Sequence, residues 1–152
     1  MIAANFFTPL LNNEDDFSVE TSGDGKLVTI TGFKESQCYE NLRIPAKIGG
    51  MPVIGIGNTA FCKEQITSVD IQDGVASIGS YAFKECGLTR VRIPDNAHIG
   101  DKAFSENHIS HIIIGNNVTI DGDGGFDPRF LKLYNQHKKG IYALNEWRFQ
   151  PM

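Results

Sequence analysis

Apolar residues in the middle of the chain follow two superposed periods. The short one is an alternation. Ile66-x-x-Val69-x-Ile71, Leu88-x-x-Val91-x-Ile93 and Ile109-x-x-Ile112-x-Ile114 end on apolar residues spaced two apart. That spacing predicts a half-buried β-strand, because successive side chains of a strand point to opposite faces. The long period repeats the whole pattern. Phe61, Phe83, Phe104 and Phe126 are separated by 22, 21 and 22 residues, and Ile56, Ile78, Ile99 and Ile120 by 22, 21 and 21. Columns that move together in this way define a solenoid, in which each unit buries its apolar face only against its neighbours. Like strands recurring at a fixed step stack as a parallel sheet, about 4.8 Å apart.

Each column has a physical reading. Gly57, Gly79 and Gly100 follow the Ile column, where the chain is expected to turn and glycine turns without steric cost. The pairs Ala60-Phe61, Ala82-Phe83, Ala103-Phe104 and Gly125-Phe126 set a small residue before a ring. The small residue lets adjacent coils approach, and the ring fills the coil centre. The ends differ from the repeat, as capping requires. Phe17 to Thr21, Gly23-Asp24-Gly25 and Leu27 to Ile30 predict a β-hairpin with an Asp-Gly turn that lids the first coil. Residues 127–135 predict a short helix with Asp127 at the N-cap and Pro128 at the first position. Residues 141–149 predict a returning strand that carries Trp147 and Phe149.

The combination Leu/Ile-x-x-Val/Ile-x-Ile, Ile-Gly and Ala-Phe resembles the BspA-type leucine-rich repeat of bacterial surface proteins. The opening unit from Leu42 to Phe61, with Ile44-Pro45, Ile48-Gly49-Gly50 and Pro52-Val53, is similar to the longer unit that opens such arrays. The resemblance covers about residues 27–126. Cys86 and Asn107 fill its Cys/Asn column, Glu64 departs from it, and Asp121-Gly122-Asp123-Gly124 alters the last turn. The resemblance implies an α/β leucine-rich-repeat solenoid dominated by strands, its helices mostly replaced by short turns. Residues 1–16 are then a flexible N-terminus and 17–149 one repeat domain. Within it, 17–41 form the hairpin cap, 42–126 the repeats and 127–149 the C-terminal cap. The whole reads as a capped module of about three and a half to four coils.

Composition narrows the picture. Hydrophobic residues make up 41% and charged residues 21% of the 152, which excludes a disordered or collagen-like chain. A formal net charge of -4 argues against a general nucleic-acid binder, which needs a basic excess for phosphate contacts. The charge is split: Glu14, Asp15, Asp16, Glu20 and Asp24 crowd one end, and Arg129, Lys132, Lys138, Lys139 and Arg148 the other. Three cysteines, Cys38, Cys62 and Cys86, do not make a disulfide framework. The first residues lack a basic region and are broken by Asn5 and Pro9, unlike a secretory signal. No apolar run is long enough for a membrane-spanning helix.

No catalytic signature is present: there is no Gly-x-Ser-x-Gly, phosphate-binding glycine loop or Cys-x-x-Cys. Asp121 to Asp127 looks superficially like a calcium loop. Its fifth position is Gly125 and its twelfth Lys132, where such a loop needs oxygen ligands, so a polar turn is expected. His108, His111 and Cys86 fall short of a zinc set. Neither a metal nor a cofactor is expected, nor an enzyme. Asn117-Val118-Thr119 matches a glycosylation sequon, too short a pattern to carry weight.

The outward positions of the strands are more informative. Asn41 and Arg43, Ser68 and Asp70, Arg90 and Arg92, then His111 and Ile113 fall between the inward ladders. Arg43, Asp70, Arg90, Arg92, His111 and Ile113 are the candidate partner-binding residues. The resemblance implies that this face is the concave, binding side. A cross-strand salt-bridge ladder is the competing reading of the same column. A non-enzymatic protein-binding module at the bacterial cell surface, taking a host matrix or surface protein, is the function the resemblance implies. The alternative is an assembly module stacking head to tail through its oppositely charged ends. Without a signal segment in view, a cytoplasmic location stays open.

Overall fold

The computed structural model describes residues 12–35 and 39–143, together with the backbone of 148–150. Cys38 and Trp147 lie outside these residues, as do residues 1–11 of the stretch 1–16 expected to be flexible. From residue 12 the chain is tied to the first coil. Asn12 Oδ1 accepts from the Arg43 N–H at 2.6 Å, Glu14 accepts from the Gly49 N–H at 2.8 Å, and Tyr39 donates its hydroxyl to Asp16.

Strands β1 (Phe17–Thr21) and β2 (Val28–Phe33) form the antiparallel hairpin, and β3 (Asn41–Ile44) opens the array. The insertion in the first unit makes its own small ribbon, β4 (Lys47–Ile48) against β5 (Met51–Ile56). Each later coil has one four-residue and one two-residue strand. These are β6 (Ser68–Ile71) with β7 (Ser77–Ile78), β8 (Arg90–Ile93) with β9 (His98–Ile99), and β10 (His111–Ile114) with β11 (Thr119–Ile120). Helix α1 (Pro128–His137) follows, then β12 (Gly140–Ala143) and β13 (Arg148–Gln150).

Two sheets result. The long strands stack in parallel in the order β3-β6-β8-β10, and β12 and β13 add to this sheet in antiparallel sense. The short strands stack in the order β5-β7-β9-β11. The hairpin joins this second sheet through β2, parallel to β5, and caps the first coil as the end strands of the stack. The N-cap of α1 is the one the sequence predicts: Asp127 accepts from the Arg129 N–H at 2.7 Å, with Pro128 first in the helix.

The third side of each coil is a turn, and its backbone bonding alternates. The N–H groups of Thr59, Phe61 and Lys63 donate to Ser80, Ala82 and Lys84 in the next coil, while those of Ala60, Cys62 and Glu64 donate three residues back. The next turn repeats this with Tyr81, Phe83 and Glu85 reaching Asp101, Ala103 and Ser105. Such alternation needs left-handed residues. They recur in register at Thr59, Tyr81 and Lys102 (φ 57, 59 and 53) and at Lys63, Glu85 and Glu106 (φ 67, 56 and 58). An L-residue there costs roughly 1–2 kcal/mol, offset here by a backbone bond to the neighbouring coil.

A column of rings runs down the centre. Phe61, Phe83 and Phe104 are fully buried. Consecutive rings from Phe61 to Phe126 stack with centroids 5.2, 5.4 and 5.0 Å apart. The ends are closed by rings turned across the stack: Phe33 against Phe61 at 64°, and Tyr142 against Phe130 at 89°. Offset and edge contacts of this kind add about 0.5–1.5 kcal/mol each beyond area burial.

The glycine column has a different cause from the one expected. Gly57, Gly79 and Gly100 do not have positive φ. A Cβ on Gly79 would stand 2.5 Å from Asn58 N, and one on Gly100 2.6 Å from Ser80 N. Glycine is required at these two positions because stacked coils touch there backbone to backbone. At Gly57 the nearest atom, Ile30 O, is 3.4 Å from such a Cβ.

Candidate functional site

The strand register, parallel from β3 to β10 and antiparallel at β12, brings the candidate residues into two rows on the long-strand sheet. One is Asn41, Ser68, Arg90, His111 and Ala143; the other is Arg43, Asp70, Arg92, Ile113 and Ile141. Burial alternates along each strand: Leu42, Ile44, Val69, Ile71, Val91, Ile93, Ile112 and Ile114 point into the core. Arg43, Asp70, Arg92 and Ile113 are half-buried on the other face, and Arg90 is exposed.

Most of the second row is occupied with itself. Arg92 Nη1 reaches Asp70 Oδ1 at 3.2 Å and the Ile71 carbonyl at 3.0 Å, and Nη2 reaches Asp73 at 3.3 Å. Arg43 donates to Gln72 Oε1 at 2.9 Å, and the Gln72 amide donates to Asp70 Oδ2 at 2.8 Å. Arg43, Gln72, Asp70, Arg92 and Asp73 therefore form one connected ladder. Surface pairs of this kind contribute under about 1 kcal/mol each, so the ladder orients side chains more than it stabilises the fold. Beside it, a cleft of about 400 Å³ is lined by Asn12, Glu14, Arg43, Pro45, Lys47 and Gln72.

The other residues differ. Arg90 has no carboxylate within ion-pair reach among the described residues. His111 Nδ1 lies 2.9 Å from Ser110 Oγ. Burial, and then the Arg90 charge, hold its imidazole below the usual histidine range, which favours the neutral ring. Ile113 is not at the edge of the sheet: β12 sets Ile141 beside it, so its neighbours across the row are Arg92 and an isoleucine.

The Cys/Asn column does structural work. Asn107 Oδ1 accepts from the N–H groups of Cys86, Gly87 and Leu88 at 3.1, 2.9 and 2.9 Å. Its amide donates to the carbonyls of Phe83, Phe104 and Ser105 at 2.7, 2.9 and 3.3 Å. One coil earlier, Cys86 Sγ donates to the Phe61 carbonyl at 2.9 Å. Burial pushes the Cys86 thiol up to about 12. Thiol reactivity follows the thiolate fraction. In the native protein at pH 8, maleimide is therefore expected to leave Cys86 unmodified until denaturant is added. Peptide mapping of labelled Cys62 and Cys86 checks this, and native labelling of Cys86 would contradict the buried geometry.

The acidic turn near the C-terminus serves separate tasks. Asp121 meets His98 Nε2 at 3.0 Å, Asp123 accepts from the Gly125 N–H at 2.7 Å, and Asp127 caps α1. Among the described residues no group of three His, Cys, Asp or Glu side chains could hold a metal ion. Nor is any described helix long and apolar enough to cross a membrane. His98, whose Nδ1 lies 2.9 Å from Thr119 Oγ1, sits on the short-strand sheet and was not marked by any motif.

Repeated strand, short strand and turn, closed around stacked rings, define a strand-dominated leucine-rich-repeat solenoid. The chain belongs to the family described as the BspA type leucine-rich repeat region, which matches residues 54–133. A leucine-rich repeat protein of T. pallidum has a similar fold, with a TM-score of 0.53 at 22% identity over 79% of this chain. The present chain spans 66% of that protein's length. A leucine-rich repeat protein from Bacteroides capillosus aligns at 24% identity and a TM-score of 0.44, over 71% of this chain and 96% of its own. A leucine-rich cell surface protein from Faecalibacterium prausnitzii aligns at 28% identity and 0.45, over 79% of this chain and 31% of its own. No curated protein matches the chain.

Proposed function

We propose that this chain is a non-enzymatic binding module that takes a protein partner on the outer face of the long-strand sheet, at the bacterial cell surface. The observation that carries the reading is the state of that face. The ladder holds Arg92 in place, while Arg90 is exposed and uncommitted beside it and Ile113 presents an apolar contact one strand over. Arginine is among the residues enriched in interface hot spots, and Arg90 and Arg92 supply two side by side. The partner class that fits is a host matrix or cell-surface protein with acidic groups near an apolar patch. Recognition would rest on shape and a few arginine contacts, with no covalent step. A narrow sheet presents little area, so one module is expected to bind weakly and to gain from multivalency.

The test is a panel of host matrix proteins measured by surface plasmon resonance against the wild type and a variant with Arg90→Ala, Arg92→Ala and Ile113→Ala. Binding by the wild type and its loss in the variant, with thermal stability nearly unchanged, is the expected result. Undiminished binding by the variant would move the site off this face.

A further inference from the structure

On the turn side, two N–H groups of the third turn lack, among the described residues, the partner that their equivalents in the first two turns have. In the first two turns the N–H groups of both left-handed residues reach the next coil, from Thr59 and Lys63 and then from Tyr81 and Glu85. Lys102 and Glu106 hold the same two positions in the third turn, with φ 53 and 58. Between them the Phe104 N–H finds the Gly124 carbonyl at 2.9 Å. No carbonyl of the described residues accepts from Lys102 or Glu106. The cause is the altered fourth turn. Gly122, Gly124 and Gly125 take positive φ, and after Phe126 the chain leaves for α1 through Asp127.

A cleft of about 420 Å³ opens at this spot, lined by Tyr81, Lys84, Lys102, Ser105, Glu106 and Asp123 among others. Its carboxylates are already engaged: Glu106 pairs with Lys84 at 2.9 Å, and Asp123 accepts from the Gly125 N–H at 2.7 Å. Ser105 Oγ is shielded from solvent and has no hydrogen-bond partner, so a rotation about χ1 toward a bound acceptor would satisfy it. The Lys102 ammonium has no carboxylate partner among the described residues. The uncommitted groups are therefore donors: two backbone N–H groups, a hydroxyl and an ammonium. The Ala103, Phe104 and Ser105 N–H groups between the two are already bonded, so Lys102 and Glu106 offer two separate donors and not the run of successive N–H groups that cradles a single anion.

We propose that this open edge binds a ligand carrying two or more carboxylate or phosphate oxygens. The Lys102 and Glu106 N–H groups lie either side of the occupied Phe104 N–H, so a single small anion is a poor match and spaced oxygens a good one. Glu106 and Asp123 oppose negative charge, which keeps the expected affinity weak, on the order of millimolar.

The test is an amide NMR titration of the whole chain with citrate and, separately, pyrophosphate, against sodium chloride at equal ionic strength. The Lys102 and Glu106 amide protons are expected to move downfield with one shared midpoint, while their bonded equivalents at Tyr81 and Glu85 stay put. Lys102→Met, with its fold checked by circular dichroism, should weaken the midpoint roughly 3–10-fold. A response to citrate alone assigns carboxylates, and one to pyrophosphate alone assigns phosphates. Either supports the site. No movement with either probe, an equal movement in chloride, or hydrogen exchange as slow as at Tyr81 and Glu85 would each overturn it.

Discussion

Replacing Asn107 by leucine is expected to cost roughly 3–5 kcal/mol of folding stability, in the range of severe core lesions. The side chain is half-buried and has six backbone groups within hydrogen-bond distance at the junction of two coils, three of them carbonyls that share its two N–H protons. A single neutral bond contributes about 1 kcal/mol, but an acceptor or donor left buried without a partner costs about 1–3 kcal/mol. Leucine fills similar volume and offers no partner to the three N–H groups or to the Phe83 and Phe104 carbonyls, while the Ser105 carbonyl keeps the Glu85 N–H. The column provides an internal comparison, because cysteine occupies the same place one coil earlier and keeps one donor to a phenylalanine carbonyl. Asn107→Cys should therefore be milder than Asn107→Leu. Urea unfolding of the two variants checks this. Equal midpoints would mean that a retained donor to the Phe83 carbonyl counts for little.

The glycine column gives the second large effect and a sharper contrast. Gly100→Ala is expected to destabilise by about 2–4 kcal/mol, because the added Cβ meets backbone atoms that no rotamer change can move. Those atoms are Ser80 N at 2.6 Å and the Gly79 carbonyl carbon at 3.0 Å. Gly57→Ala, at the same repeat position, meets nothing closer than 3.4 Å and has no positive φ to relieve. It should be nearly neutral, or stabilising by about 0.4–1 kcal/mol through loss of unfolded-state freedom. Thermal unfolding of both variants separates the two causes. If turning were the reason for the column, both alanines would destabilise alike.

The periodic part of the fold is legible in the residues. The 21–22-residue step fixes which strand lies beside which, and the alternation in Val69-x-Ile71 or Val91-x-Ile93 fixes which face is inward, so register and core follow together. Asp127 and Pro128 likewise announce the start of α1. The second sheet is less visible. Ser77–Ile78 and His98–Ile99 are two-residue strands, too short to alternate, and only the Ile column marks them. The bonding on the turn side is hidden for another reason. Its left-handed positions hold Thr, Tyr, Lys and Glu, residues with no preference for that conformation, so the stacking of coils imposes what the local sequence does not. At the candidate site the rows were readable but their state was not. That Arg92 is tied to Asp70, and Asp70 through Gln72 to Arg43, depends on a glutamine one residue beyond the strand and outside the column pattern.

The ring stack also limits how such a chain can change size. Each coil contacts its neighbours through one ring, two strands and a row of turn bonds, and every one of these recurs once per 21–22 residues. An insertion or deletion of one whole unit keeps all of them in phase. One of half that length would set a turn against a strand and a polar side chain against a phenylalanine. The protein's length is in this sense quantised, and its lineage can lengthen or shorten the long-strand sheet in steps of one strand without redesigning either end.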